Sequence, residues 1–427
     1  MTFLWWVSLA YGHVPNIYTA SPTDDWCQII EDALGGDYVF LTPGDYVGPC
    51  DIVGKVSEPV GEVTIVQSFD ADELARIVHD GKSDYLLRVS GPGVLNILQL
   101  AFGPVPAGVE AVRVESGNDL MVRYNRFESG EGVGVGVEGD VTLLRILDNL
   151  FEAPVGPAVV VDCEPCALGR FEVDGNVIDG GTGGVVVSAS AEGTVADNTI
   201  GQHQGTALSV TAPAAEVHRN FVEGAVRLDV ASMANNIVDG DTEVVGGAVV
   251  HNTLLGAVTV SGPAQANATL VGDLGPGNVV CDDTCFAGRA TRDFYPVVGS
   301  PLRAAAPIDP LVRLDFCGNP RVDPTSAGAI EGGGNEGFGP VDITYRSLFD
   351  CTVLPAVGGT GTGGDTAEPG GTPADTAATP LTIEEGGGCG CGVMPWSSKG
   401  PTGVLAGALA LWVRRRRSRA VGRAVLG

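Results

Sequence analysis

Between residues 90 and 280 one short pattern keeps returning: an Asn, then any residue, then an apolar residue, with Gly often close behind. It reads Asn125-Arg126-Phe127, Asn149-Leu150-Phe151, Asn176-Val177-Ile178 and Asn198-Thr199-Ile200, then Asn220-Phe221-Val222, Asn236-Ile237-Val238 and Asn252-Thr253-Leu254. The steps are about twenty residues long, wider at first and narrower later, which is the period of a stacked solenoid. Short alternating stretches lie between the marks, such as Val185-Val186-Val187, Ala207-Leu208-Ser209-Val210 and Val258-Thr259-Val260. No stretch of this region keeps a helical apolar period, which argues against a leucine-rich horseshoe with helical backs. One coil of short strands cannot bury its own inward side chains, so the next coil must stack on it about 4.8 Å away. The Asn in each turn then has work to do. Stacked Asn side chains can bond one another and the backbone of the neighbouring coil, which satisfies polar groups that stacking would bury. Ordinary turn preference would also place Asn in turns, but the recurrence before an apolar residue favours a ladder.

The pattern resembles the right-handed parallel β-helix superfamily, which includes pectate lyases and many surface proteins. Two flanks carry the resemblance further. At the front, Trp26-Cys27-Gln28-Ile29-Ile30-Glu31-Asp32-Ala33-Leu34 places apolar residues on one helical face. Ser21-Pro22-Thr23-Asp24 provides a cap-like start and Gly35-Gly36 a stop. The stretch from Asp37 to Tyr46 reads as a first strand, and the helix would cover the open end of the coil stack. At the back, Asp293-Phe294-Tyr295, Gly299-Ser300-Pro301-Leu302, Asp315 to Arg321 and Gly328 to Glu331 look like an end motif of bacterial β-helix surface proteins. The expected class is all-β: a parallel β-helix (β-solenoid) with an N-terminal capping helix, then a disordered linker and a short hydrophobic C-terminal segment.

Composition agrees. Only 18% of residues are charged, but 44% are hydrophobic, so a chain with 63 Gly and 27 Pro still has a core to bury. The formal net charge is −28, and the basic residues after Cys389 meet no acidic residue there, so the body is more acidic still. Such a surface repels phosphate backbones and excludes nucleic acid as a partner. Its simplest use is solubility.

The ten cysteines fall into close groups. Cys27 and Cys50 flank the expected first strand, Cys163 and Cys166 share a turn, Cys281 and Cys285 share another, and Cys317 and Cys351 stand near the end of the body. An even number in an exported chain reads as disulfides. Zinc is the rival, but only one true CxxC occurs and the five His are scattered. The spacing leaves the pairing open.

The ends suggest an address. Residues 1–20 begin with an apolar stretch, MTFLWWVSLAYG, like the hydrophobic part of a signal peptide without its basic start. Residues 21–355 form the β-helix body. Residues 356–388 are rich in Gly, Thr and Pro, lack the apolar residues a core needs, and read as a flexible linker. Residues 389–427 contain Cys389 and Cys391, an apolar segment from Val404 to Val413, and the run Arg414, Arg415, Arg416, Arg417. This tail resembles the MYXO-CTERM sorting tails of exported myxobacterial proteins. The resemblance implies recognition by sorting machinery, processing near the cysteines and display on the cell surface, with membrane attachment beforehand. The apolar segment falls short of the ~20 residues a spanning helix needs, while the arginines fit a cytoplasmic stop.

Chemistry is less legible. In lyases and hydrolases of the fold it resembles, clustered carboxylates, a basic residue and often calcium act on one outer face. The residues just before the turn Asn should point outward, and among them Asp148, Asp197, Arg219 and His251 would share one strip. Carboxylate, guanidinium and imidazole there would suit acid–base work on a sugar. A solvated column of turn residues is the plainer reading. Asp239, Asp241 and Glu243 are the candidate oxygen ligands for calcium, against an ordinary acidic turn. No other cofactor is indicated. Gly132-Val133-Gly134-Val135-Gly136 has no helix after it and reads as a turn, not a phosphate loop. Two functions follow as expectations. One is a non-catalytic surface rod that binds polysaccharide or matrix; the other is a tethered polysaccharide lyase or glycoside hydrolase.

Overall fold

The computed structural model describes residues 16–53, 63–67 and 74–331, apart from 165, 202, 290, 291, 308, 310, 311, 318, 319 and 322. Residues 1–15 of the proposed signal segment, Cys351, the linker and the sorting tail lie outside these residues. Within residues 16–20, assigned to the signal segment from sequence, Ile17–Ala20 is a strand paired in parallel with Tyr38–Leu41 and so belongs to the body.

The body is a right-handed parallel β-helix. Its strands pair in parallel from coil to coil in three sheets. The first is begun by Cys50–Val53 and Tyr85–Ser90. The second is begun by Tyr38–Leu41, Val63–Gln67 and Val94–Leu98, and the third by Gly44–Val47, Ala75–Val78 and Ala101–Phe102. Each residue meets its counterpart one coil on. Along the third sheet, for example, Phe102 aligns with Phe127, Phe127 with Phe151 and Phe151 with Ile178. The column continues through Ile200, Val222, Val238 and Leu254. These side chains point inward and are almost wholly buried. Phe102, Phe127 and Phe151 stack with centroids 4.8 and 4.5 Å apart and planes nearly parallel. That spacing is close to the coil rise, so the three rings stack in register along the corner.

The entry helix spans Trp26–Asp32 and is shorter than the sequence suggested. Its cap is Asp25, whose Oδ1 accepts from the Gln28 amide at 3.2 Å. Asp24 instead closes the Ser21 turn, accepting from the Ser21 amide and hydroxyl. The expected single strand from Asp37 to Tyr46 is two strands, Tyr38–Leu41 and Gly44–Val47. The corner at Thr42 and Pro43 turns the chain from the second sheet to the third. The glycine run at 132–136 is likewise no turn: Val133–Leu147 is continuous strand. Gly134 is needed there because a Cβ would stand 2.6 Å from the Phe151 ring. The stacked phenylalanines claim that space.

Cys27–Cys50, Cys163–Cys166 and Cys281–Cys285 are joined, with Cα separations of 5.5, 4.7 and 6.2 Å. The first ties the entry helix to the first sheet.

At the far end the chain doubles back. Phe286, Phe294, Tyr295, Leu302, Phe316 and Ile330 form a second core with Phe221, Ile237, Leu255 and Ala268. Phe221 and Ile237 face outward from the third sheet, so the returning segment covers the outside of the late coils.

Candidate functional site

The turn between the second and third sheets is the most regular feature of the molecule. The residue before each ladder Asn takes a left-handed conformation: Tyr124, Asp148, Gly175, Asp197, Arg219, Asn235, His251 and Ala266 all have φ between 53° and 69°. Its amide donates to the next coil, as Asp148 does to Asp174 O and Asp197 to His218 O. The Asn that follows turns inward. Asn125 Nδ2 donates to Asn149 Oδ1 at 3.1 Å and to the Ile97 carbonyl at 3.0 Å. Asn149, Asn176, Asn198, Asn220, Asn236 and Asn252 repeat the pattern, each buried. The column runs on through Asn267 to Asn278, which the sequence pattern missed. Asn267 keeps a step of 15 but is followed two places on by the polar Thr269, and Asn278 comes only 11 residues later. A bulky residue at positive φ is costly. The ladder holds the turn in that shape and so fixes where the outward side chains stand.

Those side chains form a strip with the outward residues at the end of the second sheet. In that neighbouring column Arg123 aligns with Leu147, Leu147 with Asp174, Asp174 with Ala196 and Ala196 with His218. Two ion pairs cross the strip. Arg123 holds Asp148 through Nε at 2.8 Å and Nη2 at 2.7 Å. Arg219 holds Asp197 through Nε at 3.0 Å and Nη2 at 2.5 Å. The hydrogen bonds that Arg219 donates to Asp197 raise its pKa, and the charge of Asp174 adds to it. His218 adjoins Arg219 in the chain. Burial, then the charge of Arg219, hold its imidazole below the ordinary range, so it is neutral at pH 7. Tyr124 stands at the early end, 42% exposed, with the Arg123 guanidinium 4.2 Å from its ring centroid.

The structure therefore brings Asp148, Asp197 and Arg219 onto one outer strip and adds Arg123, Tyr124, Asp174 and His218. His218 lies one residue before the turn position, in the neighbouring outward column, where the Asn mark gives no signal. His251 must be corrected. It occupies the same turn column but is fully buried beneath the returning segment, beside Arg321. Burial, then the Arg321 charge, push its pKa down to about 3.

The calcium triad does not assemble. Asp239 is paired with Arg289 at 2.7 Å, Asp241 accepts from the Ala257 amide at 3.0 Å, and Glu243 lies 3.9 Å from Arg227. Among the described residues no group of three His, Cys, Asp or Glu could hold a metal.

A second polar cluster lies on the first sheet, where Asp51 aligns with Arg88 and Arg88 with Arg113. Tyr85 sits between the guanidiniums, 5.1 and 5.4 Å from its ring centroid. Its hydroxyl donates to Asp51 at 2.6 Å. Burial, then that hydrogen bond, push the hydroxyl pKa up to about 12. Arg113 is closed by Glu110 and Asp84 at 2.6 and 2.7 Å. Both arginines of the cluster are held by carboxylates, and the Tyr85 hydroxyl stays protonated at neutral pH.

No protein-family model matches this chain, and no curated protein matches it. Among solved structures it is similar to pectate lyase Pel9A at 13% identity and a TM-score of 0.52, over 75% of this chain and 97% of that one. That likeness shows the shared fold, a pectate-lyase-like parallel β-helix. Fainter likenesses run to the PL6 alginate lyase AlyGC, at 14% identity and TM-score 0.37 over 62% of this chain and 40% of that one. A rhamnogalacturonan lyase stands at 12% identity and TM-score 0.36, over 65% and 92%. Both are too distant to bear on the argument.

Proposed function

We propose that this chain is an exported β-helix that engages an extracellular uronate-containing polysaccharide along the Arg123–Arg219 strip and cleaves it by β-elimination. The observation that carries the reading is a neutral imidazole, His218, next to a guanidinium, Arg219, on an outer strip of a fold shared with a pectate lyase. Arg219 would face the uronate carboxylate and lower the pKa of the neighbouring C5–H. His218 would take that proton. The C4–O bond then breaks, a C4=C5 double bond forms, and the departing glycosyl oxygen takes a proton from solvent. Asp197 orients Arg219, and the exposed Tyr124 ring gives a sugar a face to stack on. The signal segment, linker and tail would deliver this body to the cell surface through the sorting machinery, consistent with the disulfides at Cys27–Cys50, Cys163–Cys166 and Cys281–Cys285.

A second reading, a non-catalytic rod that binds glycan or matrix, is favoured by one observation: both arginines of the strip are already held by carboxylates. A panel of uronate polysaccharides separates the two. Unsaturated ends that form with wild type and vanish with His218→Gln support β-elimination. Binding without new ends from any glycan of the panel supports the rod, and saturated reducing ends point to hydrolysis.

A further inference from the structure

The returning segment is sealed over the late coils by polar groups as well as by its apolar core. The turn at 323–331, with Arg321 ahead of it, makes most of the seal. Arg321 is 6% exposed and donates through Nη2 to Asn235 Oδ1 and to the carbonyls of Gly328 and Ala329. Its Nη1 reaches Thr325 and the Ser326 carbonyl. Glu331 accepts from the Ser326 amide and hydroxyl, and its own amide donates to Asp315. The Gly328 amide donates to Ala266 O at 2.8 Å and the Ala329 amide to Thr253 Oγ1 at 3.0 Å. Underneath, in the left-handed turn of its own coil, lies His251, wholly buried.

We propose that His251 makes this turn an acid-released clasp, in which proton uptake by the covered imidazole frees residues 323–331 and uncovers the late part of the turn column. The groups that face His251 decide the direction. From the returning segment come Arg321, a fixed cation, and the Ser326 backbone. Asp315 and Glu331 bear on Arg321 and partly offset its charge. From the coil side the neighbour is the neutral Asn235, already engaged by Arg321 and by the Leu314 carbonyl. An imidazolium beside a buried guanidinium, with no carboxylate of its own, is repelled and poorly solvated. The closed form keeps the ring neutral down to about pH 3, while an uncovered ring protonates near 6.5. Closing is thus favoured fully above pH 6.5 and loses support as pH falls toward 3. The buried His203 and the half-buried His218 lie elsewhere and do not touch the clasp.

Amide exchange in the full chain tests this. The ratio of opening at Gly328 and Ala329 to opening at Val135 and Val137, corrected for intrinsic chemistry, is measured from pH 7 to pH 5. One proton taken up on opening raises that ratio about tenfold per pH unit below the free imidazole pKa. His251→Asn, which tolerates the left-handed turn, and His251→Gln should both flatten the rise. Gly328→Ala, whose added Cβ would stand 2.9 Å from Thr253 Oγ1, should open the clasp at every pH and calibrate the open signal. A ratio that stays constant with pH in wild type overturns the proposal whatever the variants do. A rise that persists in both His251 variants places the proton elsewhere and overturns it too.

Discussion

On the outside of the third sheet, the early coils and the late coils are opposites. Arg126 and Glu152, on neighbouring early coils, form an ion pair with side chains 48% and 35% exposed. Four and five coils on from Arg126, in the same outward column, Phe221 and Ile237 are fully buried under the returning chain. The inside differs in the matching sense. Early coils step by 24 and 27 residues and hold stacked phenylalanines. Late coils step by 16 and then 15, and have room only for Val222, Val238 and Leu254. A shorter coil encloses less apolar volume, and a coil near the end of a solenoid has a neighbour on only one side. The returning segment gives the late coils a second core where the first is thin. The same cover splits the turn strip: Asp148, Asp197 and Arg219 stay open, while Asn235 and His251 are sealed.

The sharpest way to break this comparison is to empty each core in turn. Phe294→Ala should cost about 3–5 kcal/mol, lost locally from the late coils, and Phe151→Ala a similar amount from the early ones. Denaturation read together with amide exchange separates them. If Phe294→Ala loosens both halves equally, the second core is not a local support. Next in size, Arg321→Met should cost about 3 kcal/mol, because it leaves Asn235 and two buried carbonyls without their donor. The loss should appear as early exchange at Gly328 and Ala329. Asn198→Ala, in the ladder common to both halves, should cost about 1–3 kcal/mol by orphaning the Asn176 amide. A change within error would mean that the ladder carries no stability. Smallest is Arg126→Ala on the open face, within about 0.5 kcal/mol, since an exposed pair in water contributes little.

The sequence made the early half easier to read than the late half. Wide steps and a repeated Asn-x-apolar mark survive in the early coils, because each mark serves one inward corner. Asn267 breaks the mark with Thr269 in the apolar place, and Asn278 follows after a step of only 11. The end motif around Asp293 to Glu331 was recognisable as an ending, but nothing in its pattern says which face it covers. That gap explains His251. Outward in a turn means exposed only if no other segment lies above it, and burial under Arg321 is a long-range fact. His218 is hidden for a local reason: it ends a strand whose alternation turns it outward, one residue ahead of the turn position that the Asn mark points to. The Tyr85 cluster depends on register between three coils, which no single-coil pattern contains.

The most direct test of the account is a protection map with glycan bound. Full-length protein is incubated with the uronate polysaccharide that the panel selects, and amide exchange is compared with and without it. Slowed exchange should gather at Tyr124, Asp148, Gly175, Asp197 and Arg219, the open part of the turn column, with Asn235 and His251 unchanged. Protection confined to the first sheet around Arg88 and Arg113, or spread evenly over the body, would contradict the strip as the proposed polysaccharide site.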